Sequence, residues 1–207
     1  MLYSSEEGDC IADRNRDTEI LVVLTEVDEG NSRATVCLTK TAVHLVDLDH
    51  RVPMRKGEEN GVGYYFVDQA AYEKMCQDGK VIESRTYETL NGPWHYFTVD
   101  DGQIRLDRDN AILIGTLEVY NQMKRYFGEE QVVPLYIEVE DGLRLERALA
   151  RERMQDVPNY AELCRRYLAD RQDFSEEKIA EAGILKRYEN IDFDACCREI
   201  VRAVKMF

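Results

Sequence analysis

Two groups of arginines are the residues best suited to chemistry in this chain. The first is Arg51 with Arg55, in a stretch punctuated by Pro53 and Gly57. A guanidinium offers phosphate a planar fork of donors, and a Pro/Gly loop can hold that fork in place. The second is Arg144, Arg147, Arg151 and Arg153, followed by Arg165, Arg166 and Arg171. Arg147 and Arg151 are one turn apart, so on a helix they share a face, and Arg166 could face them from the next helix. Converging like charges repel unless an anion lies between them, so both groups point to a small phosphorylated ligand. Each group also reads as ordinary solvated surface. Glu146, Glu152, Asp156, Glu162, Asp170 and Asp173 stand close enough in sequence to pair with the second group.

Other chemistries are poorly provided for. Cys10, Cys37, Cys76, Cys164, Cys196 and Cys197 form no C-x-x-C pair, so no metal site is expected and the thiols are read as reduced. His44, His50 and His95 are isolated, which favours structural or surface roles. The net charge of −14 makes the chain a poor candidate for a duplex nucleic-acid binder, which gains most of its affinity from cations on phosphate. It does not exclude a small anion held by a few local arginines. No apolar run approaches the roughly 20 residues of a membrane span, and the N-terminus has no signal-peptide pattern, so a cytoplasmic location is expected.

The elements that must position these residues follow from pattern. At 207 residues and 44% hydrophobic, the chain can build one domain with a small lobe. Residues 1–18 are polar and read as a poorly ordered leader. Strands are expected at 19–27, 34–38 and 42–46. A loop follows from Arg51 to Gly61, then a strand at 63–67 and a helix capped by Asp68 and closed at Asp78-Gly79. Strands at 81–87 and 94–99 complete a small antiparallel lobe. Ala111–Ile114 and Val132–Val139 read as doubly covered parallel strands, with a helix at 117–127 between them stopped by Gly128. Two charged helices at 143–154 and 159–173 carry the second arginine group. A short turn or helix capped by Ser175 follows, and then a final helix from Asp192 to Val204 with Ala195, Ile200 and Val204 on its apolar side. Strand–helix alternation implies an α/β layer with a mainly parallel sheet.

Read in order, the motifs resemble the guanylate kinase family. Arg55-Lys56-Gly57-Glu58-Glu59-Asn60-Gly61 through Tyr64-Tyr65-Phe66-Val67 is similar to R-x-G-E-x-x-G-x-x-Y-x-F-V. Tyr72–Met75, Val81-Ile82-Glu83, Arg147–Arg151 as R-x-L-x-R, Arg166-Tyr167-Leu168 and Tyr188-Glu189-Asn190 continue the match over about three quarters of the chain. The resemblance implies an α/β P-loop kinase-like fold: a mainly parallel sheet flanked by helices, an antiparallel monophosphate-binding lobe at 51–102 and a helical arginine lid at 143–173. It implies phosphoryl transfer from ATP to GMP with Mg²⁺. On this reading Arg55 and Tyr64 hold the GMP phosphate, with Arg51 a weaker match, since its interval to Arg55 is four where the family has three. Glu83 accepts from the guanine N1–H and amino group. Arg147, Arg151 and Arg166 act in catalysis by closing over the ATP phosphates.

The match fails before Arg51. The family's G-x-x-x-x-G-K-S/T loop, which wraps ATP phosphates in backbone N–H groups, is absent from residues 1–50. The family's Y-G-S/T is read at Asn91-Gly92-Pro93, with loss of two hydroxyls, and its D-x-D at Ile114-Gly115-Thr116. Two accounts fit the missing loop. In one the protein kept lobe and lid and abandoned catalysis, as a remnant kinase, a nucleotide sensor or an interaction module. In the other the first fifty residues are an altered reading frame, which translating the remaining upstream frames would test.

Overall fold

The computed structural model describes residues 18–25, 43–45, 48–51, 59–60, 64–89 and 92–204. The leader before residue 18, the strand expected at 34–38 and the loop carrying Arg55 lie outside the described residues. In chain order the strands are β1 (Ile20–Thr25), β2 (Val43–Leu45), β3 (Leu48–Arg51), β4 (Tyr64–Phe66), β5 (Val81–Thr89), β6 (Gly92–Val99), β7 (Asn110–Gly115), β8 (Val132–Glu138) and β9 (Arg187–Glu189). The helices are α1 (Gln69–Gln77), α2 (Leu117–Phe127), α3 (Asp141–Glu152), α4 (Tyr160–Asp173), α5 (Glu176–Glu181) and α6 (Phe193–Val204).

Five strands form a parallel sheet in the order β2-β7-β1-β8-β9. β1 sits at its centre, and its uninterrupted apolar run suits a strand covered on both faces. Alternate side chains go to opposite sides. Ile20, Val22 and Leu24 join Val119, Tyr120 and Met123 of α2 and Ile179 of α5 in one core. Leu21 and Val23 join Ile112, Leu135 and Ile137 with Cys196, Ile200 and Val204 of α6 in the other. Each such side chain contributes about 1.5–3 kcal/mol by leaving water. The final helix turns slightly from its expected face: Cys196 and Cys197 are buried and Ala195 is exposed, because a thiol packs as a small apolar group.

The second sheet has the order β4-β3-β6-β5. β6 runs antiparallel to both β5 and β3, but β3 and β4 pair parallel, so the small lobe is mixed rather than wholly antiparallel. β3 was not expected as a strand, since Leu48-Asp49-His50-Arg51 has no β-branched residue; its pairing with Phe97, Tyr96 and His95 of β6 supplies what local propensity lacks. α1 is capped by Asp68, whose Oδ1 accepts from Ala71 N–H at 2.8 Å, and it closes on Gly79 at φ 68°. Tyr72 of α1 stacks on His95 at 4.5 Å and leans on Phe97 at 4.8 Å, which fixes the helix to the sheet. His95 also shares a 2.8 Å hydrogen bond with Thr86 Oγ1.

Candidate functional site

The small lobe buries a carboxylate. β5 carries an irregularity between Val81 and Glu83, and past it Glu83 lies opposite Thr98 of β6. A bulge of this kind re-aims the following side chain. Glu83 is 1% exposed, and the Thr98 hydroxyl donates to its Oε1 at 2.8 Å. Arg85 lies on the same face of β5, with Nε 3.6 Å from Glu83 Oε2. Among the described residues no hydrogen bond reaches Glu83 Oε2 or Arg85 Nε, although both atoms are buried. Burial pushes the Glu83 carboxyl above its ordinary value; Arg85 and then Thr98 pull it back in part.

The lobe is clasped to the main sheet through the free edge of β5. The Gln122 side chain of α2 accepts from Ser84 N–H at 3.2 Å and donates to Ser84 C=O at 3.3 Å, as a neighbouring strand would. Beside this clasp opens a cleft of about 620 Å³. Arg85, Thr116, Glu118, Asn121 and Lys178 are among the residues that line it. It lies at the C-terminal end of β7, the end of a parallel strand where α/β folds place ligands.

The arginines of α3 and α4 divide by partner. Arg144 is 1% exposed; it pairs with Asp141 at 2.8 Å and lies 4.3 Å from the Tyr167 ring centre, pinning α3 to α4. Arg147 donates to the backbone carbonyls of Asn190 at 2.8 Å and Ile191 at 2.9 Å, just past β9. Arg151 is half-buried on α3. Arg166 lies 3.8 Å from Glu162 on its own helix, and Glu162 also takes a forked pair of bonds from Arg165 at 2.8 and 2.7 Å. Where β8, α3 and α4 meet, a second cleft, of about 600 Å³, has Glu138, Glu140, Asp141, Glu176 and Glu189 in its lining with Arg171. That lining disfavours a bare phosphate.

Of the residues that the resemblance assigns to the monophosphate, Arg51 ends β3 opposite His95, and Tyr64 opens β4 opposite Leu48. The register brings their backbones into the same sheet as Glu83. Arg55 lies outside the described residues.

No family model matches the chain. The guanylate kinase of Chromohalobacter salexigens is 37% identical over 57 residues, which are 27% of this chain and 26% of that protein. The chain thus spans about a quarter of the length of the curated relative it matches. The crystal structure of guanylate kinase from Anaplasma phagocytophilum is similar at a TM-score of 0.59 and 18% identity, over 91% of this chain and 85% of that one. The chain has the guanylate kinase fold. The family that the motifs resemble is the one both matches carry.

On the guanylate kinase fold two departures take on physical form. A hydroxyl does stand beside Glu83: Thr98, across the hairpin, supplies it, although Asn91-Gly92-Pro93 supplies none. Sequence reasoning missed Thr98 because it sought the hydroxyl at the turn; the alternation Tyr96, Thr98 along β6 was the available signal. At the end of β7, a Cβ on Gly115 would come within 2.8 Å of Val119, so the close approach of α2 leaves no room for a side chain there. Thr116 caps α2 by accepting from Val119 N–H. Among the described residues no group of three or more His, Cys, Asp or Glu side chains could hold a metal ion. Nor is any helix among them long and apolar enough to cross a membrane.

Proposed function

We propose that this chain is a guanylate kinase-like nucleotide kinase homologue that keeps the GMP-binding lobe and has impaired or no phosphoryl transfer. The family reaction converts ATP and GMP to ADP and GDP. The observation that supports the reading is Glu83: a buried carboxylate, oriented by Thr98, with an acceptor oxygen left open in the lobe that binds the monophosphate on this fold. Guanine presents two adjacent donors, N1–H and the 2-amino group, which such a carboxylate accepts and adenine cannot match.

In this reading Arg55 and Tyr64, with Arg51, hold the GMP phosphate, and Arg147, Arg151 and Arg166 neutralise charge on the ATP phosphates. ATP is where the chain falls short. The sequence after β1 has no G-x-x-x-x-G-K-S/T, and removing even one donor of an electrostatic cradle costs about 100-fold or more in rate. β1 itself fits both cores, which argues against an altered reading frame at Ile20–Leu24. The bonds from Arg147 to the Asn190 and Ile191 carbonyls favour a second reading, a non-catalytic nucleotide-sensing or interaction module. A cytoplasmic location goes with either.

Calorimetric titration with GMP and, separately, Mg-ATP tests the proposal, together with a turnover assay containing both. GMP binding with weak or absent ATP binding is expected. Turnover at a rate typical of kinases, about 1–100 per second, would overturn the impairment. A folded sample that binds neither nucleotide would leave the interaction module.

A further inference from the structure

Glu83 and Arg85 leave an unusual remainder. Their facing atoms, Oε2 and Nε, are 3.6 Å apart, and neither makes a hydrogen bond. Both are buried, and an unmet polar atom in such a place costs about 1–3 kcal/mol. Had the guanidinium served only to satisfy the carboxylate, the two would close to hydrogen-bond distance. Instead an acceptor and a donor stand side by side, both out of contact with solvent and neither hydrogen-bonded, a pairing that a group offering the complementary acceptor and donor would satisfy.

The order of these groups matters. Arg85 Nε–H is a donor, Glu83 Oε2 is an acceptor, and Glu83 Oε1 is a second acceptor with Thr98 on one of its lone pairs. Donor–acceptor–acceptor is the pattern that cytosine presents to guanine. Its complement, acceptor–donor–donor, is the guanine edge of O6, N1–H and the 2-amino group. Adenine, with one donor beside one acceptor, can meet only two of the three. Arg85 also lines the 620 Å³ cleft while Glu83 lies behind it, so a base edge entering from the cleft meets the guanidinium first. Contact with the buried Oε2 then requires the side chains that cover it to move aside.

We infer that Arg85 is a second base-reading residue, donating its Nε–H to the 6-oxo group of a guanine nucleotide while Glu83 accepts from N1–H and the 2-amino group. This rests on the GMP-binding reading and extends it to a residue that reading did not use. It makes O6 a recognised atom in a site whose turn at Asn91-Gly92-Pro93 offers no hydroxyl.

The test is calorimetric titration of the full chain and of Arg85→Ala with GMP, inosine monophosphate, AMP and 6-thio-GMP, whose sulfur is a poor acceptor. The unmodified protein is expected to bind in the order GMP, inosine monophosphate, AMP, and to lose about 10-fold on replacing O6 by sulfur. Arg85→Ala is expected to bind GMP about 10-fold more weakly and to treat GMP and 6-thio-GMP alike. Equal affinity of the unmodified protein for GMP and 6-thio-GMP would overturn the inference without any variant and leave GMP binding standing. So would unchanged GMP affinity in Arg85→Ala that is folded by circular dichroism. No binding of any monophosphate by the unmodified protein would overturn the inference and the GMP reading together.

Discussion

The small-lobe carboxylate and the lid arginines both carry charge that a nucleotide could use, but they are held in opposite ways. Glu83 is sealed between two strands, and one of its oxygens has no hydrogen bond among the described residues. Arg144, Arg147 and Arg166 instead have partners within the protein: a carboxylate and a ring, two carbonyls, and a neighbouring glutamate. Folding alone accounts for the lid's contacts. Arg144 also buries two donors without a hydrogen bond among the described residues, Nε and Nη1, but its guanidinium lies over the Tyr167 ring. In the small lobe a buried acceptor, Glu83 Oε2, faces a buried donor, Arg85 Nε, at 3.6 Å with no hydrogen bond on either, and that difference favours the lobe as the functional region.

The contrast can be broken in four places, from the largest effect to the smallest. Arg144→Ala removes the buried guanidinium between Asp141 and Tyr167 and should lower stability by about 2–4 kcal/mol in urea unfolding. It should leave GMP affinity within about 2-fold at temperatures where the chain is folded, because Arg144 belongs to the lid. A large loss of affinity in the folded variant would merge the two regions. Thr98→Val leaves Glu83 Oε1 without its donor, and a stability loss of about 1–3 kcal/mol is expected with weakened GMP binding.

Glu83→Gln works in the other direction. Burial raises the Glu83 carboxyl above the roughly 4.3 of a free glutamate, so the folded state holds this proton more tightly than the unfolded chain. The stability this contributes is full below the unfolded value and is lost as pH rises through the folded one. At pH 7 the charged form is a cost, so Glu83→Gln should raise the melting temperature by a few degrees while weakening GMP. The gain should shrink as pH falls towards 4. A melting temperature that drops at pH 7 would show that the carboxylate is structural. Arg166→Ala, on an exposed ion pair, should change stability by less than about 0.5 kcal/mol. A larger change would show that the pair with Glu162 supports the lid.

Much of this contrast was open to sequence reading in outline and closed in detail. Local signals carried far: Asp68 and Ser175 cap where expected, Gly128 ends α2, and the apolar runs of β1, β7 and β8 became parallel strands. What escaped depends on pairing between distant segments. Leu48–Arg51 becomes a strand only because β6 lies beside it, and β9 is three residues against the edge of β8. Thr98 meets Glu83 through a hairpin whose bulge shifts the register by one, which no spacing rule reveals. The arginine run 144–153 looked uniform, yet one member is sealed under Tyr167 and another bonds to backbone carbonyls 43 and 44 residues away. Burial, not residue type, separated them.

Hydrogen exchange with and without saturating GMP sets the two regions against each other most directly. Slowed exchange of backbone amides in β5 and β6 around Glu83, Arg85 and Thr98, with α3 and α4 unchanged, is the expected result. Unchanged exchange in β5 and β6, or protection confined to α3 and α4, would contradict a nucleotide site built on Glu83.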